Sequence, residues 1–320
     1  MQKYNFRYLG NTGIKVPPLT FGGNIFGWTV DEKTSFSLLD ALIERGLFFI
    51  DTADVYSYWA IGNKGGESET IIGKWLKKSG QRDNIVLATK VGIECLTGKT
   101  NLKPNYIKKA IEDSLRRLQT DRIDIYQAHR DDKDTPLIDT LQVFDSLIKE
   151  GKVLNIGASN YSEERLQNAL DISEKEGLAR YKTLQPKYNL YDRDEYEGKL
   201  EQVAIKNELA VISYYSLASG FLTGKYKILE DVNKSKRGPF VIKKYFNKRG
   251  KRIIELLKQI ALLYSCSETQ VALAWLIARP NITAPIVSAT SLQQIDELVK
   301  AMELKLNKKD IEKIDYMTKI

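Results

Sequence analysis

Short apolar runs and amphipathic stretches alternate along nearly the whole chain, and this alternation limits the folds open to it. Strand-like runs are predicted at 18–23 (PLTFGG), 47–53 (LFFIDTA), 84–90 (NIVLATK), 122–129 (RIDIYQAH), 153–159 (VLNIGAS), 182–188 (KTLQPKY), 210–216 (AVISYYS) and 283–289 (TAPIVSA). Helical patterns are predicted at 34–46, 67–80, 104–118, 136–151, 162–177, 194–208, 251–265, 267–280, 291–303 and 307–319. Local signals punctuate them: Asp31 or Thr34 as an N-cap, Pro104 in a first turn, Ser162 as a cap, and Gly46 and Gly80 as stops. A short hairpin is expected at 4–17, turning at Asn11, Thr12 and Gly13.

About eight β–α units with runs of consecutive apolar residues suit a parallel sheet buried on both faces. Right-handed crossovers then leave an open doubly wound sheet or a closed barrel. A G-x-G-x-x-G fingerprint after the first strand is missing, and so is a lysine-bearing phosphate loop. The expectation is an α/β fold: a (β/α)8 TIM barrel with a short N-terminal β-hairpin and extra helices. Chains of 320 residues with 42% apolar content can bury so large a core, and α/β barrels of this size form one unit. Residues 1–320 are therefore read as a single domain.

Composition narrows the function. With only Cys95 and Cys266, a disulfide framework is not expected. A single histidine and no Cys/His spacing argue against a bound metal. MQKYNFRYLG has no apolar signal-peptide core, and the apolar runs are short for a membrane helix. A cytoplasmic protein without a membrane partner is expected. The net charge of +8 is read first as a lysine-rich surface. Basic residues thicken between Lys225 and Arg252, but no nucleic-acid motif accompanies them, and a phosphate-binding loop explains them equally well. No nucleic-acid partner is expected.

Four polar groups mark where strands two to four end: Asp51, Tyr56 just beyond it, Lys90, and His129, the one histidine. In a barrel, strand C-terminal ends carry the chemistry. Each residue has an ordinary reading alone, as a cap, a rim aromatic, a surface lysine or a core histidine. Together they form a proton-transfer set. A free tyrosine has a pKa of about 10, and a nearby ammonium lowers it. Asp51 balances Lys90, neutral His129 orients a carbonyl, and Tyr56 serves as general acid or base. None of them supplies a hydride, so a nicotinamide cofactor is implied.

The stretches FIDTADVY, LATKVG, IDIYQAHRDD, GKVLNIGASNY, LQPKYNLYDR, SYYSLASGFLTGKY and SATSLQQIDEL resemble the aldo-keto reductase family in order and nearly end to end, in its potassium-channel β-subunit-like and bacterial oxidoreductase branch. The resemblance implies a barrel that binds NADP(H) without a Rossmann motif, and catalytic roles for Asp51, Tyr56, Lys90 and His129. It places Ser159, Asn160 and Gln185 on the nicotinamide carboxamide and Tyr214 against the nicotinamide ring. Ser216, Leu217, Gly220, Leu222 and Lys225 correspond to the pyrophosphate loop, and Ser288, Thr290, Gln294 and Glu297 to the adenosine-phosphate end. Ser291 stands where many relatives carry Arg or Lys against the 2′-phosphate, so NAD(H) stays open beside NADP(H). Lys236 and Arg237 are expected to supply the missing charge. Asn24, Phe26, Trp28, Tyr58 and Trp59 should line the substrate pocket. The implied function is carbonyl–alcohol interconversion on a small molecule by a monomer or homo-oligomer. Its alternative is a cofactor-bound regulatory or redox-sensing subunit with slow turnover.

Overall fold

The computed structural model describes residues 4–319. It opens with an antiparallel hairpin, β1 (Arg7–Tyr8) and β2 (Lys15–Val16), in which Arg7 pairs with Val16. The parallel strands follow: β3 (Thr20–Gly22), β4 (Phe49–Asp51), β5 (Val86–Val91), β6 (Ile123–Ala128), β7 (Val153–Ser159), β8 (Tyr181–Gln185), β9 (Ala210–Val211) and β10 (Ile286–Val287). Their order is β10-β3-β4-β5-β6-β7-β8-β9. The two edge strands meet through hydrogen bonds from Ile286 N to Ser213 O (2.7 Å) and Thr283 N to Val211 O (2.8 Å). These bonds close the sheet into a (β/α)8 barrel, which removes the exposed edges of an open sheet.

The intervening helices are α1 (Glu32–Glu44), α2 (Glu67–Ser79), α3 (Pro104–Leu118), α4 (Leu137–Lys149), α5 (Glu163–Glu176) and α6 (Lys199–Lys206), then α7 (Gly238–Tyr245), α8 (Lys248–Leu263), α9 (Glu268–Ala278), α10 (Leu292–Glu303) and α11 (Lys308–Thr318). Asp31 caps α1 by accepting from Thr34 N, and Ser162 caps α5 by accepting from Arg165 N. Gly80 ends α2 in the left-handed conformation glycine tolerates best.

Two expectations fail. The helix read over 194–208 begins only at Lys199, because Glu195 and Glu197 are spent locally: they accept from Lys187, Tyr188 and Arg193 across a turn. The basic stretch is not all loop. It forms one 3-10 helix (Leu229–Lys234) and α7, and Asn247 starts α8 three residues earlier than the pattern suggested by accepting from Gly250 N. Among the described residues no single helix is long and apolar enough to cross a membrane.

The buried apolar side chains divide by strand parity. Phe49, Val86, Ala88, Ile125, Ala210 and Ile212 point into the barrel, where Leu9 and Val16 of the hairpin join them. Ile50, Leu87, Tyr126, Ile156, Leu184 and Val211 point outward to the helices. Successive strand side chains alternate faces, so this division follows from the two-residue period. Interior space is tight: a Cβ on Gly157 would lie 2.0 Å from Thr183 Oγ1 and 3.1 Å from Gln127 Cγ.

Candidate active site

The same parity that sends Phe49, Ala88 and Ile125 inward sends Asp51, Lys90 and Gln127 inward two residues later. The lower interior is apolar; its upper layer is ionic and amide-rich. Lys90 and Asp51 are both buried, and Lys90 Nζ donates to Asp51 Oδ2 at 2.6 Å. Nζ also donates to Thr52 O (2.8 Å) and to the Tyr56 hydroxyl oxygen (2.8 Å). All three ammonium protons therefore have partners, as a buried charge requires. Tyr56 OH lies 3.5 Å from Asp51 Oδ2. His129 follows β6, and its ring stands edge-on to Tyr56 with centroids 5.9 Å apart. The structure thus brings all four expected residues together.

Their electrostatics differ from the sequence expectation in one respect. Lys90 was expected to lower the Tyr56 pKa. Burial, then the Asp51 carboxylate, instead push the phenol well above its ordinary value, against a smaller opposing influence of Arg237. Tyr56 holds its proton at neutral pH. Burial also pushes the Lys90 ammonium down, while Asp51 opposes that shift. Burial, and then Lys90, hold His129 well below the ordinary histidine value, so its imidazole is neutral. The cluster combines a protonated phenol, an ammonium that donates to the phenol oxygen, and a neutral imidazole beside it. Such a set can deliver a proton to an oxygen that gains negative charge.

Two glutamines complete the upper layer. Gln185 Nε2 donates to Asp51 Oδ1 (2.9 Å) and Gln127 Nε2 to the same atom (3.3 Å). Sequence reading placed Gln185 on the nicotinamide carboxamide and missed Gln127. The missing signal was parity: Gln127 is a polar residue on the inward face of β6, two before His129. A second acidic group lies on the outward face. Glu69 accepts from Thr89 (2.6 Å) and pairs with Arg117 (2.7 Å). Burial, then Glu69, push the Asp54 carboxyl well above its ordinary value.

The expected cofactor residues fall into separate groups. Ser159 Oγ donates to Gln185 O (2.8 Å), and Asn160 Nδ2 to His129 O (2.8 Å). Tyr214 OH donates to Asn160 Oδ1 (2.7 Å), which ties that aromatic to the same strand ends. Ser216 Oγ donates to Ile286 O (2.7 Å) across the barrel closure. Around it, Tyr215, Ala218, Ser219 and Gly220 all have positive φ. Four left-handed residues in six, three of them not glycine, are a costly backbone that a functional loop can justify. Leu217 O accepts from Gly220 N and Leu222 N to hold this turn. A Cβ on Gly220 would sit 3.3 Å from Lys225 Nζ, so the glycine keeps a cradle beside that ammonium clear. At β10, Ser288 Oγ donates to Gly22 O (2.7 Å) and Asn24 Oδ1 (2.9 Å). Thr290 N donates to Gln294 Oε1 (2.7 Å), Ser291 caps α10, and Glu297 accepts from Ser267.

The mouth is aromatic and cationic. Trp28 and Trp59 meet edge to face at 5.5 Å, Tyr58 packs on Trp59 at 5.4 Å, and Trp59 reaches Tyr56 at 6.0 Å. Lys236 Nζ donates to Trp28 O (2.7 Å), and Arg237 stacks on the Trp28 ring at 5.1 Å. Three sequence expectations shift here. Phe26 is fully buried against Phe21, so it is core rather than rim. Asn24 accepts from Ser288 at the end of β10. Lys236 and Arg237 engage Trp28, and no hydrogen bond joins them to Thr290 or Gln294 among the described residues.

Comparison with known proteins agrees with this architecture. The model of the Aldo/keto reductase family matches residues 18–319. The chain is 35% identical to the uncharacterized oxidoreductase YrpG of Bacillus subtilis, over 95% of this chain and 92% of that protein. It is 31% identical to the aldo-keto reductase YhdN of the same organism, over 94% and 90%. It is 29% identical to a probable voltage-gated potassium channel subunit beta of Oryza sativa, over 93% and 91%. The chain belongs to the aldo/keto reductase family, and a general oxidoreductase role follows.

Proposed function

We propose that this aldo/keto reductase interconverts small-molecule carbonyls and alcohols with NADP(H), using Tyr56 as general acid and base. The observation that carries the reading is Lys90 Nζ at 2.8 Å from the Tyr56 hydroxyl and 2.6 Å from Asp51. A phenol kept protonated by burial is in the state that carbonyl reduction needs. When its proton leaves, the Lys90 ammonium already donates to the oxygen that becomes negative. Neutral His129, beside Tyr56, donates a hydrogen bond to the carbonyl and orients it without adding a charge. In the reverse direction the Tyr56 oxygen takes the alcohol proton.

The chain's residues fit a nicotinamide dinucleotide. Lys225 and Arg237 are each pushed down first by burial, and Lys225 next by Arg237. Neither has an ion pair among the described residues. Two desolvated cations beside a left-handed turn suit the cofactor's phosphates. Ser159, Asn160 and Gln185 would hold the carboxamide, Tyr214 the ring, Ser216, Leu217, Gly220, Leu222 and Lys225 the pyrophosphate, and Ser288, Thr290, Gln294 and Glu297 the adenosine end. When bound, the cofactor supplies or accepts the hydride. The substrate's substituent would lie against Trp28, Tyr58 and Trp59. The protein would act as one domain in the cytoplasm.

A screen of NADPH oxidation over aldehydes, ketones and sugars tests the reading. Tyr56→Phe should lower turnover roughly 10²–10⁴-fold. Equal turnover by that variant would overturn the assignment. A slow-turnover regulatory subunit is the second reading, favoured by the likeness to a channel β subunit. It predicts tight cofactor binding with little turnover of any carbonyl in the screen.

A further inference from the structure

We infer that Gln127 is a positioning residue: it sets the orientation of the Gln185 amide and steadies the Asp51 carboxylate toward Lys90. The inference rests on the proposed reading of the site and deepens it. Gln185 Nε2 donates to two acceptors, Asp51 Oδ1 at 2.9 Å and Gln127 Oε1 at 3.3 Å. Both acceptors select the amide's nitrogen end, so Gln185 Oε1 must point the other way. That oxygen is then free to accept from a carboxamide NH₂, whereas a flipped amide would present a donor to a donor. Gln127 thus fixes which chemical face Gln185 turns outward.

Gln127 acts on Asp51 directly as well. Its own Nε2 donates to Oδ1 at 3.3 Å. With Oδ1 engaged by two amides, Oδ2 is left for Lys90 (2.6 Å) and Tyr56 (3.5 Å). Hydrogen bonds to an ionised carboxylate favour its charged form, and the charged form holds the Lys90 proton. Gln127 is fully buried, and the missing side chain at Gly157 leaves the room it occupies, with only 3.1 Å from its Cγ to where a Cβ would lie. Burying an amide here without partners is costly. Its two partners are the catalytic carboxylate and Gln185.

The test uses protein carrying [ε-¹³C]lysine, with the Lys90 resonance assigned by its loss in Lys90→Arg. In Gln127→Met, of similar volume but without donors, the Lys90 titration midpoint should fall by about one pH unit. The pH profile of kcat should shift with it, and NADPH should bind several-fold more weakly by fluorescence titration. Gln127→Glu donates only while its carboxyl holds a proton, so kcat should gain a new decline as pH rises through that group. A Lys90 midpoint within about 0.2 unit of the native protein in folded Gln127→Met, with unchanged cofactor affinity, would overturn the inference and leave Gln127 a space-filler. Should Gln127→Met fail to fold, the kcat decline in Gln127→Glu decides, and its absence overturns the inference. If no carbonyl is turned over by the native protein yet the Lys90 midpoint falls, the proposed reaction fails and the positioning role stands.

Discussion

The barrel interior holds two layers that differ by two residues along the same strands. Phe49, Ala88 and Ile125 form the lower one, and Asp51, Lys90 and Gln127 the upper. Backbone geometry is the same in both. The lower layer is held by contact area, at roughly 1.5–3 kcal/mol for a large buried apolar side chain. The upper layer must satisfy every buried donor and charge or lose several kcal/mol per group. A layer built by contact tolerates reshaping of its neighbours. A layer built by mutual hydrogen bonds fails as a unit, and that rigidity is useful for placing a phenol against a lysine.

Changes at each level break or sharpen this contrast. The largest effect is expected from Lys90→Met. It leaves the Asp51 carboxylate buried without its cation, at a cost of about 3–5 kcal/mol, and removes the ammonium from Tyr56. Urea unfolding should show the loss, and turnover should fall at least roughly 10²-fold. Retained turnover would show that the upper layer does not act as a unit. Phe49→Ala probes the layer below. It should cost about 3–5 kcal/mol of stability, while kcat of the folded fraction stays within about twofold. A collapse of kcat with folding intact would show the two layers to be coupled.

The mouth responds more mildly. The double variant Lys236→Ala, Arg237→Ala should raise the KM for NADPH about tenfold, since each charge-assisted contact contributes roughly 1.5–3 kcal/mol at most and solvent screening reduces it. If these residues read the 2′-phosphate, the NADPH-over-NADH preference should shrink as well. Unchanged discrimination with a raised KM would assign them to the pyrophosphate instead.

The smallest effect lies outside the barrel wall, at Asp54. Its folded pKa is raised, so the unfolded chain loses this proton first as pH rises. The native state therefore loses stability from about pH 4 upward, until the folded carboxyl also ionises. Asp54→Asn should remove that fall, and its urea midpoint at pH 7 should exceed that of the native protein. An unchanged pH dependence would show that Asp54 does not carry this proton. His129 acts in the opposite sense. Its depressed pKa means the unfolded chain binds a proton first, and stability should drop as pH falls below about 6.5.

Much of this was legible in the chain. Periodicity placed α3 and β7 at their observed bounds: Pro104 fixes where α3 can start, and Gly151 and Asn160, both at positive φ, bound β7. Strand-end polarity marked Asp51, Lys90 and His129. The shortfalls occur where side chains compete with local pattern. Glu195 and Glu197 look like a first helical turn, yet they serve Lys187, Tyr188 and Arg193. Phe26 looks like rim, yet Phe21 stacks on it.

By itself, then, the sequence determined the alternation of elements, the family, and which residues carry protons at the strand ends, since local pattern and residue type are written in neighbouring positions. Only the tertiary structure decided that Tyr56 keeps its proton, that Lys236 and Arg237 clasp Trp28, and that Gln127 and Gln185 share Asp51. Asp51 and Gln185 are 134 positions apart in the chain and 2.9 Å apart in the barrel. Burial and charge proximity belong to that closure, and no local pattern can state them.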